Sequence, residues 1–93
     1  MSILVKNAVG TSDDQDPEGN LNVWKEQTNQ SVNYCSVLGC DDDDLVGAHV
    51  QYVGKNDKSL YIIPMCRTHN GKHGEELHIR NGTTFMRADL LNK

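Results

Sequence analysis

Four side chains in this sequence are spaced as metal ligands: Cys35 and Cys40 with four residues between them, and Cys66 and His69 with two. Zinc takes four soft or borderline ligands at tetrahedral corners, and a short chain supplies them most readily as two close pairs that the fold brings together. The first pair, Cys35-Ser36-Val37-Leu38-Gly39-Cys40, ends in Gly-Cys. A residue without a Cβ lets the backbone turn tightly there and present amide N–H groups to the thiolates, so the stretch reads as a knuckle. The second pair, Cys66-Arg67-Thr68-His69, follows the apolar run Tyr61-Ile62-Ile63-Pro64-Met65 and sits where a strand ends and a helix starts. Two-residue spacing places both ligands on one face of a first helical turn, whose positive end favours thiolate charge. The competing reading is three buried free thiols and an unrelated histidine. Two ligand pairs rarely arise by chance in a short chain.

Length and composition give the chain a use for a metal. Residues 1–93 make a single domain, and with 37% hydrophobic residues and one Trp, three Tyr and one Phe it can bury only a modest core. A structural zinc contributes on the order of 10 kcal/mol of apparent binding free energy, comparable to the whole stability of a small domain. Three cysteines, an odd number, argue against a disulfide framework. The apolar stretch Ser2-Ile3-Leu4-Val5 is too short for a signal peptide, with Lys6 after it rather than before. No run is long enough to span a membrane. The expectation is a reducing, cytoplasmic location with no membrane partner.

The elements that must position the ligands fall into three parts. Residues 1–30 read as an N-terminal β extension: a strand over 3–9, an acidic, turn-rich loop over 10–20, and a returning strand over 21–27, although Trp24 to Gln27 could open a helix. Trp24 is expected in the core. Residues 31–76 read as the zinc-binding core. Two β-rich runs, 45–53 and 60–63, flank the polar turn 54–59 and make a hairpin, and the glycine-interrupted stretch after His69 forms a short helix. Residues 77–93 read as a C-terminal hairpin about Asn81-Gly82, followed by a short tail. The fold class expected is α+β, a small zinc-stabilised core with additional N-terminal and C-terminal β-hairpins.

Knuckle, hairpin, then a helix carrying the second ligand pair is the element order of a treble-clef zinc finger. The stretch from Cys35 to His73 further resembles the zinc-containing branch of the HNH endonuclease family. The residues that carry the resemblance are Cys35 and Cys40, Gly47-Ala48-His49-Val50, and Ile63-Pro64-Met65-Cys66-Arg67-Thr68-His69-Asn70-Gly71-Lys72-His73. It implies a ββα core, with His49 as general base on a water attacking phosphorus and Asn70 and His73 beside it as catalytic residues. A second divalent metal is implied only by that catalytic reading. Imidazole titrates near neutrality and a metal neutralises charge building on phosphate, so the chemistry is coherent. The sequence departs from the pattern at Ala48, where the family has a metal ligand, and at Ser59-Leu60-Tyr61, where an orienting asparagine is expected. Asn70 and His73, without a carboxylate, make a poor Mg²⁺ site. Taken by itself, His49 has two other readings: a partly buried strand histidine, or a substitute fourth zinc ligand should His69 point away. The expectation is therefore a zinc-binding HNH-like module, noncatalytic or weakly catalytic. Its rivals are a metal-dependent endonuclease and a protein-interaction module.

Charge is unevenly distributed. Up to Gly54, nine acidic side chains face only Lys6 and Lys25, giving −7. From Lys55 onward, seven basic side chains face Asp57, Glu75, Glu76 and Asp89, giving +3 and the formal total of −4. The basic half, with Lys55, Lys58, Arg67, Lys72, Arg80 and Arg87, could meet DNA or RNA phosphates if several share a face. An acidic whole lacks the broad positive field of a dedicated nucleic-acid binder, and a protein partner is the other expectation. Asp41-Asp42-Asp43-Asp44 lacks the alternation and glycine of a calcium loop and reads as a solvated turn in which one aspartate caps Leu45 and its neighbours.

Overall fold

The computed structural model describes residues 3–7, 17–71 and 75–89. Strand β1 (Ile3–Asn7) is followed by helix α1 (Pro17–Thr28), the knuckle segment, β2 (Leu45–Tyr52), β3 (Tyr61–Cys66), a single helical turn α2 (Arg67–Asn70), β4 (Glu76–Ile79) and β5 (Met86–Arg87). The strands form one antiparallel sheet in the order β4-β1-β2-β3-β5. The fold is thus α+β, and the β2–β3 hairpin falls where the sequence places it.

Alternation along the strands divides the sheet into two faces. On one, Val5, Ala48, Val50, Ile63, Met65, Leu77 and Ile79 are buried together with Cys35, Val37 and Cys66. On the other, Ile62 and Met86 meet Leu21 and Trp24 of α1. Trp24 is 2% exposed, and its Nε1–H donates to the Thr84 carbonyl at 3.0 Å.

The segment 17–28, expected as loop and then strand, is helical. Pro17 occupies the first helical position, where its fixed φ is already correct and its missing N–H costs nothing. Asn20, Leu21 and Trp24 are buried on one side, while Glu18, Asn22, Lys25, Glu26 and Gln27 are exposed. Asn29, at φ 55°, closes the helix in the left-handed region. The alternation of Leu21 and Val23 that suggested a strand is overridden by this helical face. The N-terminal hairpin is therefore replaced: β1 pairs instead with β2 and β4.

Gly47 sets how closely α1 approaches. A Cβ there would lie 2.6 Å from Leu21 N and 2.7 Å from the Asn20 carbonyl carbon, so the helix backbone rests directly on β2.

The C-terminal hairpin is also corrected. A turn does form at Asn81-Gly82, with Gly82 at φ 95° and Thr83 N–H donating to Arg80 O at 3.3 Å. Yet β4 joins β1 at one edge while β5 joins β3 toward the other. The sheet curls enough for a short segment to cross between them. Ser36 demonstrates the curl: its N–H donates to Pro64 O on β3 at 3.2 Å, and its carbonyl accepts from Arg80 N–H, just past β4, at 2.9 Å. In a flat sheet, β3 and β4 would stand about 14 Å apart. The knuckle also donates Leu38 N–H to His78 O at 2.8 Å, and Val37 bridges Ile79. It thus joins the two sides of the curled sheet.

Strand β3 runs through Pro64 rather than stopping there. In an antiparallel strand the N–H and C=O of one residue point the same way. Pro64 O faces Ser36, so its missing N–H falls on the side away from β2, where the β2–β3 ladder needs no donor.

Gly47→Ala is expected to destabilise the protein by about 1–3 kcal/mol through overpacking against the helix backbone. Thermal unfolding measures this, as a fall of about 4–8 °C in Tm for each kcal/mol in a domain of this size.

Candidate metal centre

Each ligand pair is placed by local chemistry. In the knuckle, Cys40 N–H donates to Val37 O at 3.0 Å across a turn with Gly39 at φ 83°, a conformation that glycine adopts without strain. Asp42 O accepts from Cys35 N–H at 2.9 Å and closes the loop behind it. In the second pair, Cys66 ends β3 and caps α2, its sulfur accepting from His69 N–H at 3.5 Å. One residue therefore ends a strand, starts a helix and offers a metal ligand.

These features bring Cys35, Cys40, Cys66 and His69 together, with all four ligand atoms within 4.8 Å of one another. Cys66 Sγ lies 3.2 Å from His69 Nδ1, Cys35 Sγ 3.8 Å from the same nitrogen, and Cys40 Sγ 4.0 Å from Cys66 Sγ. Tetrahedral zinc, with bonds of about 2.3 Å to sulfur and 2.0 Å to nitrogen, sets edges of about 3.8 Å and 3.5 Å. Donor chemistry and spacing both fit, and the four residues could hold a metal ion. His69 completes the set, and His49 is not part of it.

Two backbone N–H groups converge on one of the sulfurs. Cys35 Sγ accepts from Cys66 N–H at 3.2 Å and from Val37 N–H at 3.5 Å. Burial nevertheless pushes the Cys35 thiol up to about 12, against the pull of those two N–H groups, with the Cys66 and Cys40 sulfurs adding to the rise. A metal cation supplies the favourable interaction that deprotonation of so buried a thiol requires.

Two residues outside the pairs hold the centre in place, and neither was recognised from sequence. Asn7, on β1 and 1% exposed, donates from Nδ2 to His69 O at 3.1 Å and Asn70 O at 2.8 Å, while its N–H donates to Glu75 O at 3.2 Å. An asparagine within an apolar strand was the available sign. Arg80 donates from Nε to Cys35 O at 3.3 Å and from Nη2 to Cys40 O, with its guanidinium 4.8 Å from the Tyr34 ring centroid. The sequence placed it among residues free to meet phosphate.

The other basic and acidic candidates divide similarly. Arg67 pairs with Asp44 at 3.1 Å and with Glu18, and Arg87 with Asp89 at 3.6 Å. The four aspartates are exposed, as a solvated turn requires, and Asp42 Oδ1 accepts from Asp44 N–H at 3.0 Å.

His49 lies in β2 opposite Ile62, on the face where α1 packs, and is 3% exposed. Asn70 ends α2, and its carbonyl is held by Asn7, which pairs with Val50 on the opposite face. Asn70 Oδ1 is buried with no hydrogen-bond partner among the described residues. His73 lies outside the described residues. The helical turn α2 starts before His69, at Arg67; of the stretch 70–76 expected to continue it, residues 72–74 lie outside the described residues and Glu76 already belongs to β4.

No protein-family model, curated protein or solved structure matches this chain. Among the described residues, no helix is long and apolar enough to cross a membrane.

Two outcomes test the centre. Protein made with zinc present should carry one zinc per chain by elemental analysis. Cys35→Ser, Cys66→Ser or strong chelation should remove it and unfold the domain in circular dichroism. Asn7→Leu removes a buried double donor, at a cost of about 1–3 kcal/mol. It should therefore weaken zinc retention in chelator competition while leaving all four ligands present.

Proposed function

We propose that this chain is a zinc-binding module with an HNH-like treble-clef core, noncatalytic or weakly catalytic, whose partner is DNA or RNA. The observation that carries the reading is the convergence of Cys35, Cys40, Cys66 and His69. The treble-clef assignment is supported by the order knuckle, β2–β3 hairpin and helical turn bearing the second ligand pair. Zinc in this reading is structural, because four protein ligands leave no open position for a reacting water.

Binding without cutting is supported by the environment of His49. A general base must reach a water in line with phosphorus, and a side chain 3% exposed on the face packed by α1 is badly placed for that. Ala48 offers no ligand to a second metal.

The face proposed for nucleic acid lies at the hairpin end, where Lys6, Lys55, Lys58 and Tyr52 line a common cleft, with Asp57 and Glu76 moderating its charge. The Lys55 ammonium sits 4.6 Å from the centroid of the Tyr52 ring. Lysine over an aromatic suits a single strand, whose bases stack while its phosphates meet ammonium groups.

Single-stranded oligonucleotides should shift in a low-salt mobility assay, with affinity falling steeply as salt rises. Lys55→Glu/Lys58→Glu should cost about tenfold or more, as expected for reversing two phosphate contacts. No shift at low salt would favour a protein partner instead. Among the described residues, the buried Asn70 Oδ1 is an observation on the side of the endonuclease reading. Supercoiled plasmid incubated with Mg²⁺, Mn²⁺ or Ni²⁺ should remain intact. Nicking that disappears in a His49→Ala protein still holding zinc would establish the nuclease.

A further inference from the structure

We propose that Cys40 and Cys66 form a reversible redox pair, in which oxidation by a peroxide closes a disulfide between them and expels the zinc. The inference rests on the zinc-bound centre proposed for this chain and adds a modification site to it.

The three sulfurs are not equivalent. Cys35 is fully buried and accepts N–H groups from Cys66 and Val37, which draw electron density from its sulfur and leave an oxidant no approach. Cys40 is half-buried and opens on a surface cleft that it shares with Leu38, Asp41, Asp42 and Thr68. Its sulfur lies 4.0 Å from that of Cys66, so the least buried of the three cysteines has a second sulfur beside it. Reactivity at cysteine follows access and nucleophilic character, and a sulfenic acid next to a second cysteine resolves to a disulfide.

The steps balance. Cys40 sulfur attacks one peroxide oxygen, the O–O bond breaks, and hydroxide leaves to give Cys40 sulfenic acid. Cys66 sulfur then attacks Cys40 sulfur, forming the S–S bond and breaking the S–O bond, and a second hydroxide leaves. Both hydroxides take protons from solvent. The sulfur pair loses two electrons, which reduce one peroxide to two waters. Cys35 and His69 alone remain as ligands, too few to hold zinc. The new bond ties the knuckle to the end of β3, where the metal had tied it, so a thiol reductant and zinc restore the starting state.

The test treats zinc-loaded, full-length protein with stoichiometric hydrogen peroxide. Zinc release is followed with a chromophoric chelator, and quenched samples are alkylated and mapped by peptide mass spectrometry without reduction. The expected result is a Cys40–Cys66 peptide, alkylation falling from three cysteines to Cys35 alone, and one zinc released per disulfide. A disulfide that includes Cys35, sulfinic acid without any disulfide, or three intact thiols with zinc retained would each overturn the proposal. Elemental analysis before oxidation separates the two readings. Zinc-free protein would remove the structural-zinc reading, while the peptide map would still report which sulfurs pair. Excess reductant with added zinc should return one zinc per chain, and failure to do so would overturn reversibility.

Discussion

The segment from Cys35 to Cys40 is bound on three sides, and the rest of the molecule is arranged around that. Its backbone bonds to β3 through Ser36 and Pro64, and to the end of β4 through Ser36, Leu38 and Arg80. Its two cysteines converge with Cys66 and His69. A five-stranded sheet this small has little apolar surface to hold a curl by itself. The knuckle supplies the closure, and a metal held by the four residues would add far more than the few hydrogen bonds there. Val37 and Cys35 in turn become part of the core that the curl encloses. A metal bound there would couple its binding to core formation, as in small metal domains generally.

The opposite face is organised by a different constraint. Gly47 lets α1 lie with its backbone against β2, and Leu21 and Trp24 then cover Ile62 and Met86. Trp24 reaches across to Thr84 and fixes the segment between β4 and β5. This packing bears on the proposed function. The strand histidine that a nuclease would direct at a phosphate is on the helix-packed face here, and the proposed nucleic-acid partner would be left the lysine-lined end of the hairpin. The arginines that might have served instead are committed to Asp44, Glu18 and Asp89 or to knuckle carbonyls.

The parts of this arrangement legible in the sequence are those governed by local spacing. Two ligand pairs, a glycine before Cys40, the β-rich runs around Gly54 and the buried Trp24 all follow from short-range chemistry, and each stands where it was expected. The expectations that failed depend on which partner a segment finds. Leu21 and Val23 alternate like a strand, but Pro17 starts a helix whose burial of Leu21 and Trp24 outweighs that alternation. Asn81-Gly82 does form its turn, but the flanking residues bury Ile79 against Ile3 and Met86 against Trp24, contacts a local hairpin would forgo. Asn7 and Arg80 act on groups far along the chain, so the sequence around them can mark a residue as out of place but does not name the carbonyls it holds.

In the proposed zinc module, three sulfurs and one imidazole nitrogen meet at one zinc and hold the knuckle to the sheet. X-ray absorption at the zinc edge of the purified protein tests it most directly. The result expected is a four-coordinate shell with three sulfurs at about 2.3 Å and one nitrogen at about 2.0 Å. A shell of oxygen and nitrogen alone, or a folded protein with no zinc to measure, would contradict it.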